Sequence, residues 1–226
     1  MKIGILQNGR SPEELRDKSG DYDMLFKRYL GGRGFEFVTY PVLDGVLPAS
    51  PNEADGWLIT GSRFGVYEDH PWIPPLEAFL RRAYDDGVPI FGICFGHQIL
   101  AQALGGRVEK FSGGWSVGPE TYESERLGPQ SMIAFHQDQV VDPPADAEVI
   151  GSSPFCANAI LVYGDKALTV QPHPEFNAAF LADLLEARGD ILPADIAEKA
   201  RANLNRPLTT GDFADEIERF FKRQRI

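Results

Sequence analysis

An apolar run over residues 88–93 delivers Cys94 between Gly92 and Gly96, and an amphipathic run closed by Gly105 and Gly106 follows at once. A β-strand that becomes an α-helix within two or three residues needs a turn in which backbone passes very close to backbone, and glycines two positions to either side allow it. Strand, sharp turn and helix together form the pattern of a nucleophile elbow, with cysteine where many hydrolases have serine. Such a turn stands at the carboxyl edge of a sheet, so it constrains fold and chemistry at once. A cysteine there is either a small buried residue or a nucleophile, and the rest of the chain has to discriminate.

The remainder alternates as the elbow requires. KIGILQ (2–7), FEFVTYPV (35–42), GWLIT (56–60) and VPIFGI (88–93) are short apolar runs that predict buried strands. Between them, Ser11, Pro12 and Glu14 give a helix-start signal of N-cap, first-turn proline and capping-box glutamate, and Gly31 and Gly32 close the periodic stretch YDMLFKRYL. LEAFLRRAYDDG (76–87) and HQILAQALGG (97–106) predict two more amphipathic helices. Strands alternating with helices predict an α/β fold, a mostly parallel sheet with helices on both faces.

From about residue 107 the pattern changes. WSVGPETYES, SMIAFHQDQV, AEVIGSS and ANAILVYGDKALTVQ predict strands joined by short turns, with Gly164 and Asp165 marking a hairpin, and therefore an antiparallel section added to the sheet. After Pro174 come three helical runs, NAAFLADLLEARG, PADIAEKARANL and TGDFADEIERFFKRQ. The expected organisation is one domain over residues 1–180 and a C-terminal helical extension, 181–226, packed on it.

Composition narrows the function classes. With 33 acidic against 22 basic residues the net charge is −11, which disfavours nucleic-acid backbones and anionic membranes as partners. No apolar run approaches the ~18 residues of a membrane span. The N-terminus MKIGILQNG lacks a signal peptide's cleavage pattern, so the expected location is the cytoplasm. Cys94 and Cys156 cannot make a disulfide framework, and no Cys/His spacing resembles a zinc site.

A free thiol has a pKa of about 8.5, so a nucleophilic Cys94 needs a base as well as the helix end below it. The best candidate lies in VQPHPEF (170–176), where His173 sits between Pro172 and Pro174 and Glu175 follows two residues later. The prolines fix the backbone, and the spacing presents imidazole and carboxylate together. Of the other histidines, His97 follows the elbow inside its helix and reads as structural, His70 reads as a loop-packing residue, and His136 in FHQDQV is a rival that would line the site. Cys156 reads as a small buried residue. Trp57, Trp72 and Trp115 read as core or site-wall residues, with Trp115 in GGW a candidate pocket cap.

GICFGHQ (92–98) together with HPE (173–175) resembles the paired signature of the class I glutamine amidotransferases, over roughly residues 1–180. The resemblance implies a flavodoxin-like three-layer fold and attack on the side-chain amide of glutamine or of a γ-glutamyl compound. It implies Cys94 as nucleophile, His173 as general base and then acid, and Glu175 as the orienting carboxylate. LITGSRFGVYED (58–69) stands where the family has its glycine-containing oxyanion loop, so Gly61 and Phe95 would offer N–H groups to the oxyanion. Gln98, Ser62 and His136 are the further substrate-binding candidates. Many members have a Gly-x-Pro or Gly-Gly-Pro loop, whereas here Ser62 and Arg63 follow Gly61; Arg63 either reaches a substrate carboxylate or is solvated.

SGDYDMLFKRYL and FHQDQV extend the resemblance to the stand-alone, GMP-synthase-like branch that includes γ-glutamyl peptidases. No P-loop or pyrophosphatase motif occurs in the 226 residues. The expected function is therefore a cysteine hydrolase acting through a γ-glutamyl thioester, without metal or organic cofactor. The alternatives are a glutaminase subunit that gives ammonia to a separate synthetase, or a binding or regulatory protein of the same fold. An α/β-hydrolase elbow fits less well, because there the acid precedes the histidine.

Overall fold

The computed structural model describes residues 1–223, so the last residue of the expected C-terminal helix, Gln224, lies outside the described residues. Four of the apolar runs become β1 (Lys2–Leu6), β2 (Glu36–Tyr40), β3 (Gly56–Ile59) and β4 (Ile90–Ile93), hydrogen-bonded in parallel in the order β2-β1-β3-β4. β5 (Arg107–Lys110), β6 (Ser116–Tyr122), β7 (Gln130–His136) and β8 (Asp138–Asp142) form two antiparallel ribbons, β5 with β8 and β6 with β7. β9 (Glu148–Gly151), β10 (Ile160–Tyr163) and β11 (Ala167–Val170) complete the seven-stranded sheet, with β11 parallel to β4 and the other two antiparallel. Of the predicted antiparallel section, then, only β9 to β11 extends the main sheet; the ribbons stand off it.

The helices are α1 (Glu13–Ser19), α2 (Tyr22–Tyr29), α3 (Ile73–Asp85), α4 (Phe95–Ala103), α5 (Ala178–Arg188), α6 (Ala194–Ala202) and α7 (Thr210–Phe221). They cover both faces, and the period of two along each strand divides the core. Trp57, Ile59 and Ile90 join Leu76, Phe79 and Leu80 of α3 and Ile99 of α4. Ile3, Ile5, Leu58 and Phe91 join Phe26 of α2 and Phe213, Ile217 and Phe221 of α7. A third cluster packs Phe180, Leu184 and Leu185 of α5 and Ala197 and Ala200 of α6 around Ile133 of β7. The C-terminal helices thus divide: α5 and α6 pack at the β6–β7 ribbon, while α7 closes one face of the sheet.

One local signal is overruled. Ser11 does not cap α1; Pro12 occupies the cap position with no side-chain bond, and the Ser11 N–H instead donates to Asp21 Oδ1 at 2.8 Å. Asp21 also accepts from the Tyr22 N–H at 2.9 Å, so one carboxylate ties the approach to α1 to the start of α2. Gly20, at φ +77°, makes the break between the two helices. Among the described residues a complete capping box is formed by Ser50 with Glu53.

The elbow glycines are required by close approach. A Cβ on Gly92 would lie 2.6 Å from the Gly96 carbonyl oxygen, and one on Gly96 would lie 2.4 Å from that of Ile59. Backbone atoms of β3 cannot withdraw without breaking the sheet, so Gly96→Ala is expected to cost about 2–3 kcal/mol. A denaturant titration against the unaltered protein measures this; an unshifted midpoint contradicts it.

Candidate active site

Sheet register explains why three separated motifs meet. In the parallel set Ile59 pairs with Gly92, and Ile93 pairs with Val170. The segments that leave β3, β4 and β11 therefore emerge side by side at one carboxyl edge, where open α/β sheets hold their ligands. They carry Gly61, Cys94 and His173 respectively.

Cys94 itself holds the strain of the elbow, at φ 52° and ψ −103°, a region that side chains avoid. Its N–H donates to the Val170 carbonyl at 2.8 Å, which locks the turn to β11. The first bond of α4 runs from the Gln98 N–H to the Cys94 carbonyl at 3.0 Å, so the N–H groups of Phe95 and its successors have no intrahelical acceptor. The sulfur is thus raised at the positive end of a nine-residue helix, in a residue 7% exposed.

His173 is fixed from three sides. Its N–H donates to the Ile133 carbonyl at 2.8 Å, its Nδ1 lies 2.8 Å from Glu175 Oε1, and its ring stacks on Phe176 with centroids 4.0 Å apart and planes 4° apart. The Glu175 side chain is 1% exposed and its Oε2 has no partner among the described residues. Because a carboxylate only accepts, Nδ1 carries the hydrogen, and Nε2 is the nitrogen left for other work. Burial acts to lower the His173 pKa, but the charges of Glu175 and of the Cys94 sulfur, with the hydrogen bonds to both, outweigh it and push His173 up to about 10. An imidazolium facing the cysteine is the partner a thiolate nucleophile needs.

Gly61 closes the group. A Cβ there would stand 2.9 Å from His173 Cε1 and 3.8 Å from Cys94 Cβ, which measures how tightly the three motifs converge. The N–H groups of Gly61 and Phe95 have no acceptor among the described residues. A cavity of about 220 Å³ opens here, lined by Cys94, His173, Ser62, Gln98 and His136. Gln98 Nε2 donates to the Asp138 carbonyl at 2.9 Å and to Gln171 Oε1 at 3.1 Å, so its amide is held in place. Ser62 Oγ accepts from the Phe64 N–H at 3.3 Å. His136 lies within 3.2 Å of the Asp138 carbonyl through Nδ1, and burial pushes it down to about 3, so it is neutral with an unprotonated Nε2.

The remaining candidates settle into packing. His97 bonds Thr169 Oγ1 at 2.8 Å and is pushed down to about 3, by burial first and by His136 second. His70 stacks on Trp72 at 5.7 Å and bonds Glu68 at 2.8 Å. Cys156 is free and buried, and burial pushes its thiol up to about 12. Trp57 is core, whereas Trp115 lines the cavity and packs edge-on against Phe135 at 6.0 Å.

Phe176 and Tyr22 are among the cavity residues that the sequence alone leaves unmarked. Phe176, the ring that stacks on His173, directly follows the HPE motif, and its position was the only signal. Tyr22 lines the cavity beside Phe176, 6.4 Å between centroids, and nothing local to α2 marks it. Among the described residues no group of three His, Cys, Asp or Glu side chains is arranged to hold a metal ion, and no helix is long and apolar enough to cross a membrane.

Comparisons with known proteins bear on the family and the fold. The chain is 29% identical to γ-glutamyl peptidase 4 of Arabidopsis thaliana, over 91% of this chain and 89% of that protein. It is 30% identical to a glutamine-hydrolysing GMP synthase of Caldicellulosiruptor saccharolyticus, over 70% of this chain but 32% of that protein. The crystal structure of a glutamine amidotransferase from Thermotoga maritima superposes with a TM-score of 0.77 at 21% identity, covering 98% of each chain, and shows the same fold. The family model for glutamine amidotransferase class-I matches residues 16–181. With an elbow cysteine at the sheet's carboxyl edge and that match across most of its length, the chain belongs to the class I glutamine amidotransferase family.

Proposed function

We propose that the protein is a cysteine hydrolase that cleaves the γ-amide bond of glutamine or of a larger γ-glutamyl compound through a thioester on Cys94. The observation that carries this reading is the convergence at one sheet edge of a strained cysteine on a helix N-terminus and a histidine held 2.8 Å from a buried glutamate. The Cys94 sulfur attacks the γ-carbonyl, and the Gly61 and Phe95 N–H groups receive the oxyanion. His173 gives its Nε2 proton to the departing nitrogen, the C–N bond breaks, and an amine leaves. The neutral imidazole then takes a proton from water, which attacks the thioester and returns the sulfur as thiolate beside an imidazolium. Glu175 keeps the imidazole in one tautomer and stabilises its charge.

Glutamate and amine release by the purified protein, from glutamine and from a panel of γ-glutamyl amides and dipeptides, tests the reading. Turnover that vanishes in Cys94→Ala supports it. A second reading, a glutaminase subunit that gives ammonia to a separate synthetase, is favoured by the likeness to part of a GMP synthase. It predicts an isolated protein idle on every substrate and a glutaminase rate that appears when a synthetase subunit is added.

The Gly61 role has its own test. Gly61→Ala puts a methyl 2.9 Å from His173 Cε1, displacing the imidazole and the adjacent N–H together. Its kcat is expected to fall about 10²–10³-fold, the loss typical of an oxyanion donor. A fall in apparent affinity with kcat intact would contradict it.

A further inference from the structure

Two cavities lie side by side at this edge of the sheet. The one that holds Cys94 is about 220 Å³ and its neighbour about 480 Å³, and they share Arg10, Arg63 and Arg188. The larger one adds Arg16 and contains neither Cys94 nor His173. In a chain of net charge −11 with only 22 basic residues, four guanidinium groups around one hollow run against the average of the surface. Among the described residues Arg10 pairs with Asp44, while Arg16, Arg63 and Arg188 have no ion-pair partner. Glu13 and Glu14 also border the hollow, both exposed and outside any such pair.

A second observation is independent of charge. Arg16 Nε and Ser11 Oγ are both buried and unbonded among the described residues, and both side chains belong to the wall of this larger cavity; Ser11 is 2% exposed. A buried donor without an acceptor is costly, and a small movement of the Arg16 side chain into the hollow would bring that donor to a ligand oxygen. A guanidinium fork suits a carboxylate in particular.

We propose that the larger cavity is the leaving-group subsite and that it selects leaving groups bearing a carboxylate, that is, an amino acid or peptide joined through its nitrogen to the γ-carboxyl of glutamate. The inference rests on the hydrolase reading above. The scissile bond lies at the sulfur, so a γ-glutamyl unit occupies the smaller cavity and what leaves with the nitrogen enters the larger one. Arg63 and Arg188 stand at the junction, and Arg16, which belongs to the larger cavity alone, is the specificity-determining residue. It touches the departing half of the substrate and takes no part in the bond exchange.

The test compares γ-glutamylglycine with γ-glutamylglycinamide, which differ only in the leaving group's carboxylate. The wild-type kcat/KM is expected to favour the acid by about tenfold or more, the worth of one charged hydrogen-bond pair. The ratio falls toward one in Arg16→Gln and in Arg16→Gln with Arg188→Gln, and Arg16→Lys restores part of it. Because the readout is a ratio within one protein, a variant that is merely less stable does not mimic the effect. Equal wild-type rates, or a ratio that survives both variants, overturn the subsite while ongoing turnover leaves the hydrolase reading intact. Calorimetry with N-acetylglycine, which has no γ-glutamyl bond, reads the cavity separately. Binding weakened about tenfold by Arg16→Gln supports the anion site, and absence of binding overturns it. A protein idle on both dipeptides that still binds N-acetylglycine through Arg16 locates the failure in the hydrolase reading.

Discussion

Cys94→Ala is expected to lower γ-glutamyl turnover about 10⁴-fold or more, because no neighbouring group can replace the sulfur in forming the acyl intermediate. The same position makes a second, opposite prediction for stability. At φ 52° and ψ −103° any side chain with a Cβ is strained, and the residues around it hold it there. Gly relieves that strain, against an entropic cost of its own in the unfolded chain. Cys94→Gly is therefore expected to be as inactive as Cys94→Ala and more stable than it by about 1 kcal/mol. Paired denaturant curves of the two variants measure the difference. A Cys94→Gly protein less stable than Cys94→Ala would mean that the backbone of the elbow is relaxed. The expected result is the usual exchange of stability for a poised nucleophile.

The other large effect is at Glu175. Replacing it with Gln keeps a group of the same shape beside His173 Nδ1 but removes the charge, and the amide can donate toward that nitrogen and favour the wrong tautomer. A loss of about 10³–10⁴ in kcat is expected, as for the orienting carboxylate of other triads. The pH profile gives the sharper test. Burial alone would lower His173, and it is the charge of Glu175, followed by that of the Cys94 sulfur, that carries it up from 6.5 to about 10. The wild-type rate should accordingly persist through neutrality and fall on the alkaline side as the imidazolium is lost near pH 10. In Glu175→Gln that alkaline limb moves toward neutral pH. The sign for stability follows from the same shift. A histidine whose folded-state pKa is raised stabilises the fold fully below its ordinary value of 6.5, and the contribution is lost as pH rises through about 10. Unfolding midpoints should fall across that window in the wild type and fall less in Glu175→Gln; an alkaline limb that stays put in the variant would remove Glu175 from this role.

The strands of the parallel half, the helices α3 and α4 and the elbow were legible because each is written in neighbouring residues. Alternation, helical period and the pair of glycines around Cys94 all act within a few positions. The helix-start signal at Ser11 was equally local and was overruled: Asp21 takes the Ser11 N–H that a capping-box Glu14 would accept, and Ser11 Oγ caps no helix N–H. The HPE motif marks His173 and Glu175 as candidates, and the structure holds the two side chains 2.8 Å apart. The motif is silent on Phe176, whose stacking on the imidazole depends on how the chain folds back after Pro174.

From the sequence alone came the elements, the alternation that demands a covered parallel sheet, and Cys94, His173 and Glu175 as candidates, because these rest on short-range patterns. Only the tertiary structure decided that β11 lies next to β4, which brings Cys94 and His173 to one edge, and that α7 rather than α5 or α6 closes a face of the sheet. It alone gathered Arg10, Arg16, Arg63 and Arg188 around a single hollow. The reason is physical: strand order and helix docking are chosen by the summed burial of surfaces far apart in the chain, and no window of neighbouring residues contains that sum.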